Sequence, residues 1–143
     1  MNATSAAVTG AAAFTWLGMV VAVSFIEAPL KFRAPGITVR LGLGIGRLVF
    51  RALNIAESAL AVTVVVAVAA GSPTAPVTVA TCGVAALLAV QLAAVRPVLN
   101  RRSDRVLAGE ELPRSRAHYV YIAVEVLKAA ALVTLGVNAL AAV

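Results

Sequence analysis

Apolar and polar positions segregate along the chain into four long apolar runs separated by three breaks. Residues 4–28, TSAAVTGAAAFTWLGMVVAVSFIEA, carry no charge before Glu27. A second run, RLVFRALNIAESALAVTVVVAVAA, covers 47–70, a third covers 76–97 and a fourth 117–140. A bilayer core about 30 Å thick is crossed by about 20 predominantly apolar helical residues. Each run therefore predicts a membrane-spanning helix, and the chain as a whole, 1–143, an all-α four-helix transmembrane bundle in one domain. The breaks are PLKFRAPGITVRLGLGIG, within a connector at 29–46, the compact turn GSPTAP at 71–76, and NRRSDRVLAGEELPRSR, within a connector at 98–116. Pro97 predicts the end of the third helix, because its ring crowds the preceding turn and it lacks an N–H.

Composition narrows the solvent. With 62% hydrophobic and 13% charged residues, a soluble domain of this size would expose largely apolar surface. The first run does not read as a signal peptide, since no basic segment leads it and Lys31 and Arg33 follow it. The net charge of +6 lies between spans and not on a polar face with stacking aromatics, which argues against nucleic acid as a partner. Lys31, Arg33, Arg40, Arg47 and Arg51 flank the first connector, and Arg96, Arg101, Arg102, Arg105, Arg114 and Arg116 the third, together eleven of the twelve basic residues. Basic loops stay in the cytoplasm, so both termini are expected outside, the N-out/C-out arrangement. Arg47, Arg101, Arg102 and Arg105 are then expected to meet anionic lipid head groups. Richness in Ala, Val and Arg with only two Lys points to a GC-rich bacterial genome, hence a bacterial plasma membrane. Cys82 and His118 are single residues of their types and form no metal or haem ligand set, so no cofactor or metal is expected.

The polar residues inside the runs carry the chemistry. In AHYVYIAVEVLK, His118, Tyr121, Glu125 and Lys128 are spaced three, four and three apart and form one stripe. Arg47, Arg51, Asn54 and Glu57 form a slightly wider arc on the second run. Helical rise places Glu57 and Lys128 both roughly 15 Å inside the basic boundary, and Arg51 and Glu125 shallower, at roughly 6 and 12 Å. An ionised side chain there costs about 2.5–3.5 kcal/mol on insertion scales. The stripes are expected to face inward and pair, Glu57 with Lys128 and Arg51 with Glu125, with Glu125 to Lys128 pairing within the fourth helix as the alternative. Glu27 and Gln91 lie in the same half of their spans. Two readings follow: ion pairs that fix helix register, or a cytoplasm-facing cavity lined by Glu27, Arg51, Asn54, Glu57, Gln91, His118, Tyr121, Glu125 and Lys128. The other half is almost purely Ala, Val, Leu and Thr, which opposes a continuous open pore. GLGIGR at 42–47 is expected to allow close helix approach through Gly42 and Gly46, or to offer N-terminal amides to an anion beside Arg47. Gly83, Ala86, Ala89 and Ala93 suit a further close helix contact or an oligomer seam.

SFIEAPLKFRAPG followed by LGIGRLVFRALNIAE, with AHYVYIAVEVLK as the closing helix, resembles an uncharacterised family of small four-helix bacterial integral membrane proteins; the resemblance implies architecture alone. Arg51, Asn54 and Glu57 also resemble part of the glutathione-binding signature of membrane proteins of eicosanoid and glutathione metabolism, although no His precedes them. The function expected first is transport or permeation of a small solute or ion, with Glu57 and Glu125 as coupling acids, Lys128 and Arg51 as counter-charges and Asn54 as a neutral ligand. The alternatives are a non-enzymatic accessory subunit of a larger membrane complex and a glutathione-transferase-like membrane enzyme. No catalytic residue is assigned, and either a homo-oligomer or a partner membrane subunit is expected.

Overall fold

The computed structural model describes residues 1–113 and 116–143; Arg114, counted above among the connector's basic residues, lies outside them. Four helices are each long and apolar enough to cross a membrane: α1 Ala3–Lys31, α2 Val39–Ala70, α3 Ala75–Leu107 and α4 Arg116–Ala141. They form an up-and-down bundle in which α1 packs on α2 and α4, and α3 on α4 and α2. Asn2 caps α1, its side chain accepting from the Ser5 amide at 2.8 Å. Thr38 caps α2 through the Leu41 amide at 3.1 Å.

Helix boundaries differ from expectation at the basic end. α2 begins at Val39, eight residues before Arg47, so Arg47 sits in the helix interior and the free amides of its N-terminus are not beside it. α3 continues to Leu107, straight through Pro97. The reason is a π-helical segment, Gln91–Val95, immediately upstream, closed by the Arg96 amide donating to the Gln91 carbonyl. The widened turn makes room for a proline ring that would otherwise strike the carbonyl four residues back. α1 repeats the device: a π segment, Val21–Glu27, precedes Pro29.

The two ends of the bundle are distinct. The N-terminus and the turn after α2 meet where the Asn2 amide donates to the Gly71 carbonyl at 3.3 Å. A Cβ at Gly71 would lie 2.6 Å from Ser5 Cβ and 3.1 Å from the Ala67 carbonyl, so α1 and α2 close tightly there. The adjoining core is apolar: Ala12, Ala13, Val20, Val64, Val68, Val77, Val84, Leu88, Leu132 and Leu135 pack together with the ring of Trp16. At the opposite end lie the C-terminal turns of α1 and α3 and the first turns of α2 and α4, with the basic residues. Gly42 and Gly46 are buried there, Gly42 under the Phe32 ring and Gly46 beside the Lys31 ammonium, which supports the close-approach reading of GLGIGR. Ala86, Ala89 and Ala93 face outward, away from the other helices of the bundle.

Candidate functional site

Seven polar side chains from the four helices converge between the apolar core and the basic end. Glu57 of α2 and Glu125 and Lys128 of α4 are each at most 1% exposed, and Gln91 of α3 is 2% exposed. The Lys128 ammonium bonds a Glu57 carboxylate oxygen, Glu57 Oε1. It also lies 2.7 Å from Glu125 Oε1 and donates to Gln91 Oε1 at 2.5 Å. The Gln91 amide nitrogen donates in turn to Glu125 Oε1 at 2.5 Å. Trp16 Nε1 donates to Glu57 Oε1 at 2.9 Å. Ser24 closes the set, with its hydroxyl donating to Glu125 Oε2 at 2.5 Å and lying 3.0 Å from the Tyr121 hydroxyl.

Local structure explains why these atoms meet. Glu125 and Lys128 are one turn apart on α4, so their heads share a face. Ser24 lies within the π segment of α1, and Gln91 opens the π segment of α3. An extra residue per turn re-aims the side chains that follow, a recurrent use of π segments at functional sites. The network spans all four helices with each of its ionised heads partnered, which is what makes charge tolerable at this depth.

A cavity of about 550 Å³ opens at the basic end and reaches this network. Ser24, Tyr121 and Glu125 form its deep wall. Lys31, Arg47, Arg96 and His118 supply its basic lining, and Phe25, Phe32, Leu43, Leu99 and Ile122 its apolar lining. Lys31 is held 3.4 Å from Glu27, and Arg47 bonds Asp104 of α3. Arg96 is placed differently. Its guanidinium carbon lies 4.1 Å from the Phe50 ring centroid and 4.8 Å from that of Tyr121, two rings that meet edge to face. Its Nε and Nη2 are buried and have no hydrogen-bond partner among the described residues.

The sequence-derived residues divide into three groups. Glu57, Gln91 and Lys128 lie behind the cavity's deep wall, while Tyr121, Glu125 and His118 line the cavity itself. Glu57 and Lys128 are paired as their equal depth implied. Arg51 and Asn54, however, line an outer groove between α2 and α3 that adjoins the cavity, the two sharing Arg47, Phe50, Arg96 and Asn100. Arg51 is exposed and does not reach Glu125, whose oxygens are taken by Lys128, Gln91 and Ser24. A long cationic side chain on the bundle's flank runs toward polar surroundings more cheaply than it enters the core. The partial glutathione-binding pattern is accordingly split across two faces of α2, with Glu57 inside and Arg51 and Asn54 in the groove. Glu27 stays near the cavity's edge, tied to Lys31. Tyr121 is buried, whereas Tyr119 is 56% exposed. Arg101, Arg102 and Arg105 lie on the last turns of α3, Arg105 2.7 Å from Glu110.

Sequence reasoning missed Ser24, Trp16 and Arg96. Trp16 stands alone in its run, and Ser24 looks like ordinary span polarity. Arg96 reads as a connector residue until Pro97 is seen inside a continuous helix. The common signal was Pro29 and Pro97, each a few residues past the segment that bends a polar group inward. No protein-family model, no curated protein and no solved structure matches the chain.

Proposed function

We propose that this chain is a multi-pass transport protein of a bacterial plasma membrane, its basic end in the cytoplasm, moving a small solute or ion through the central cavity. The observation that carries the reading is the continuity of the cavity with the buried network. From the cavity wall, hydrogen bonds run from Tyr121 and Ser24 to Glu125, then through Gln91 and Lys128 to Glu57 and Trp16. Two carboxylates face one ammonium there, so the set accommodates a proton without leaving an uncompensated charge in lipid. That is the chemistry of a proton-coupled gate, with Glu57 and Glu125 as the acids and Lys128 as counter-charge. Beyond it the apolar core closes the path, as the resting state of an alternating carrier requires.

Purified protein in liposomes carrying an internal pH dye, energised by a potassium diffusion potential, tests the reading. Wild-type vesicles are expected to take up protons faster than empty ones, and Glu57→Gln to abolish the difference with helical content unchanged. Equal uptake by wild type and Glu57→Gln would sink it.

A second reading, membership of a larger membrane assembly, is favoured by α2. Only 22% of its most apolar window is buried, against 39% for α1 and α4, and Leu48, Ile55 and Val62 project outward. Stoichiometric co-purification of another membrane chain in mild detergent, with no flux from the isolated protein, is the outcome this second reading expects.

A further inference from the structure

We infer that the central cavity recognises an amphiphilic anion, a single carboxylate or phosphate on an apolar body, and that Arg96 is the residue that binds its oxyanion. The inference rests on the cavity being a solute site and deepens that reading by naming the solute's chemistry.

The neighbouring cations are already held. Lys31 is committed to Glu27, Arg47 to Asp104 and Lys128 to the two buried carboxylates. Arg96 has no acidic partner among the described residues, and its buried Nε and Nη2 make no hydrogen bond there. These two atoms form one edge of the guanidinium, from which two N–H bonds point in parallel. That is the fork that takes a carboxylate or phosphate through two oxygens at once. The guanidinium carbon stands over the Phe50 and Tyr121 rings, which are perpendicular to each other. Aromatic faces favour a cation but accept no strong hydrogen bond, so the in-plane edge is where the remaining binding capacity lies. A buried guanidinium with both edge donors unmade carries a desolvation cost that an oxyanion would remove.

The surroundings select the rest of the ligand. Ser103 and Asn100 add neutral donors to the lining, and Phe25, Phe32, Leu43 and Ile122 form an apolar wall. The one carboxylate on that lining, Glu125, is already satisfied by Lys128, Gln91 and Ser24. Among the described residues of the cavity lining, Arg96 is the one Lys or Arg without an acidic partner, and such a cation beside an apolar wall fits one negative charge on a hydrophobic body and disfavours polyanions. Two sources share this chemistry: a free amphiphilic acid and the head group of an anionic lipid.

Octanoate and inorganic phosphate serve as probes in calorimetric titrations of the protein in phosphatidylcholine nanodiscs, with empty discs subtracted. Octanoate is expected to bind, and Arg96→Gln to weaken it at least tenfold. Arg96→Lys, which keeps the charge and loses the fork, is expected to weaken it almost as much, and Arg101→Gln to leave it unchanged. Phosphate is expected to bind more weakly than octanoate, for want of an apolar body. Phosphatidylglycerol in the discs separates the sources: competition with octanoate, lost in Arg96→Gln, assigns the site to a lipid head group, and absence of competition assigns it to a free acid. If Arg96→Gln does not fold, Arg96→Lys decides by the same criterion. Absence of octanoate binding and of any Arg96-dependent phosphatidylglycerol retention, or equal binding by wild type and Arg96→Lys, would overturn the assignment. Binding is read without flux, so a protein that binds octanoate and carries no protons refutes the transport reading alone.

Discussion

Near the termini the four helices meet through Ala12, Ala13, Val64, Val77, Leu132 and Leu135; near the basic end they meet through Glu57, Gln91, Glu125 and Lys128. Both halves are drawn from the same apolar background, yet they bear change differently. In the apolar half each contact is a small dispersion term, and the loss of one leaves its neighbours intact. In the polar half the contacts form one closed account of charge and hydrogen bonds, where deleting a member strands the others in a medium without water. The lesson is that this bundle concentrates its specificity in a few costly side chains and leaves shape-filling to the rest.

The largest effect expected from breaking that contrast is at Lys128. Lys128→Met leaves Glu57 and Glu125 facing each other without a counter-charge, at a cost of about 3–5 kcal/mol. Unfolding in mixed micelles measures it, and adding Glu57→Gln with Glu125→Gln should restore most of the loss. A neutral single variant would show that the network is not holding the helices. An intermediate effect belongs to the terminal end. Gly71→Ala drives a Cβ against Ser5 Cβ and the Ala67 carbonyl, backbone-anchored atoms that cannot swing away, and is expected to cost about 1–3 kcal/mol. Gly44→Ala, with nothing within 4 Å of the added carbon, is its control; gaining helix propensity, it should be neutral or slightly stabilising in the same assay. The smallest effect is at the exposed Arg47–Asp104 pair. Asp104→Asn should change stability by less than about 1 kcal/mol, and by less still at high salt.

The contrast was partly legible before any coordinates. Run lengths give four spans because a bilayer sets the length of a crossing helix, and helical rise gives Glu57 and Lys128 a common depth. Facing stripes follow from regular spacing, so Tyr121, Glu125 and Lys128 are found on one buried face. The same reasoning fails where the helix is not regular. Past Val21–Glu27 and Gln91–Val95 a constant turn angle no longer predicts where a side chain points, which hides Ser24 and the setting of Arg96. It fails too where azimuth decides: Arg51 and Glu125 were expected to pair, but Arg51 lies on the groove side of α2. Depth is set by the chain's length in the membrane, whereas azimuth is set by packing.

Cysteine accessibility tests the central claim most directly, that the polar half opens a cavity at the basic end while the apolar half is sealed. Single cysteines are placed in a Cys82→Ser background at Leu43 and Ile122, which line the cavity, and at Val64 and Ala80, which lie in the apolar core. A membrane-impermeant thiol reagent is then added to inside-out and right-side-out vesicles without an imposed gradient. The account predicts rapid labelling of Leu43→Cys and Ile122→Cys from one face alone, the face that carries the basic end, and none of Val64→Cys or Ala80→Cys from either face. Labelling of the cavity positions from the opposite face, or of the core positions at a comparable rate, would contradict it.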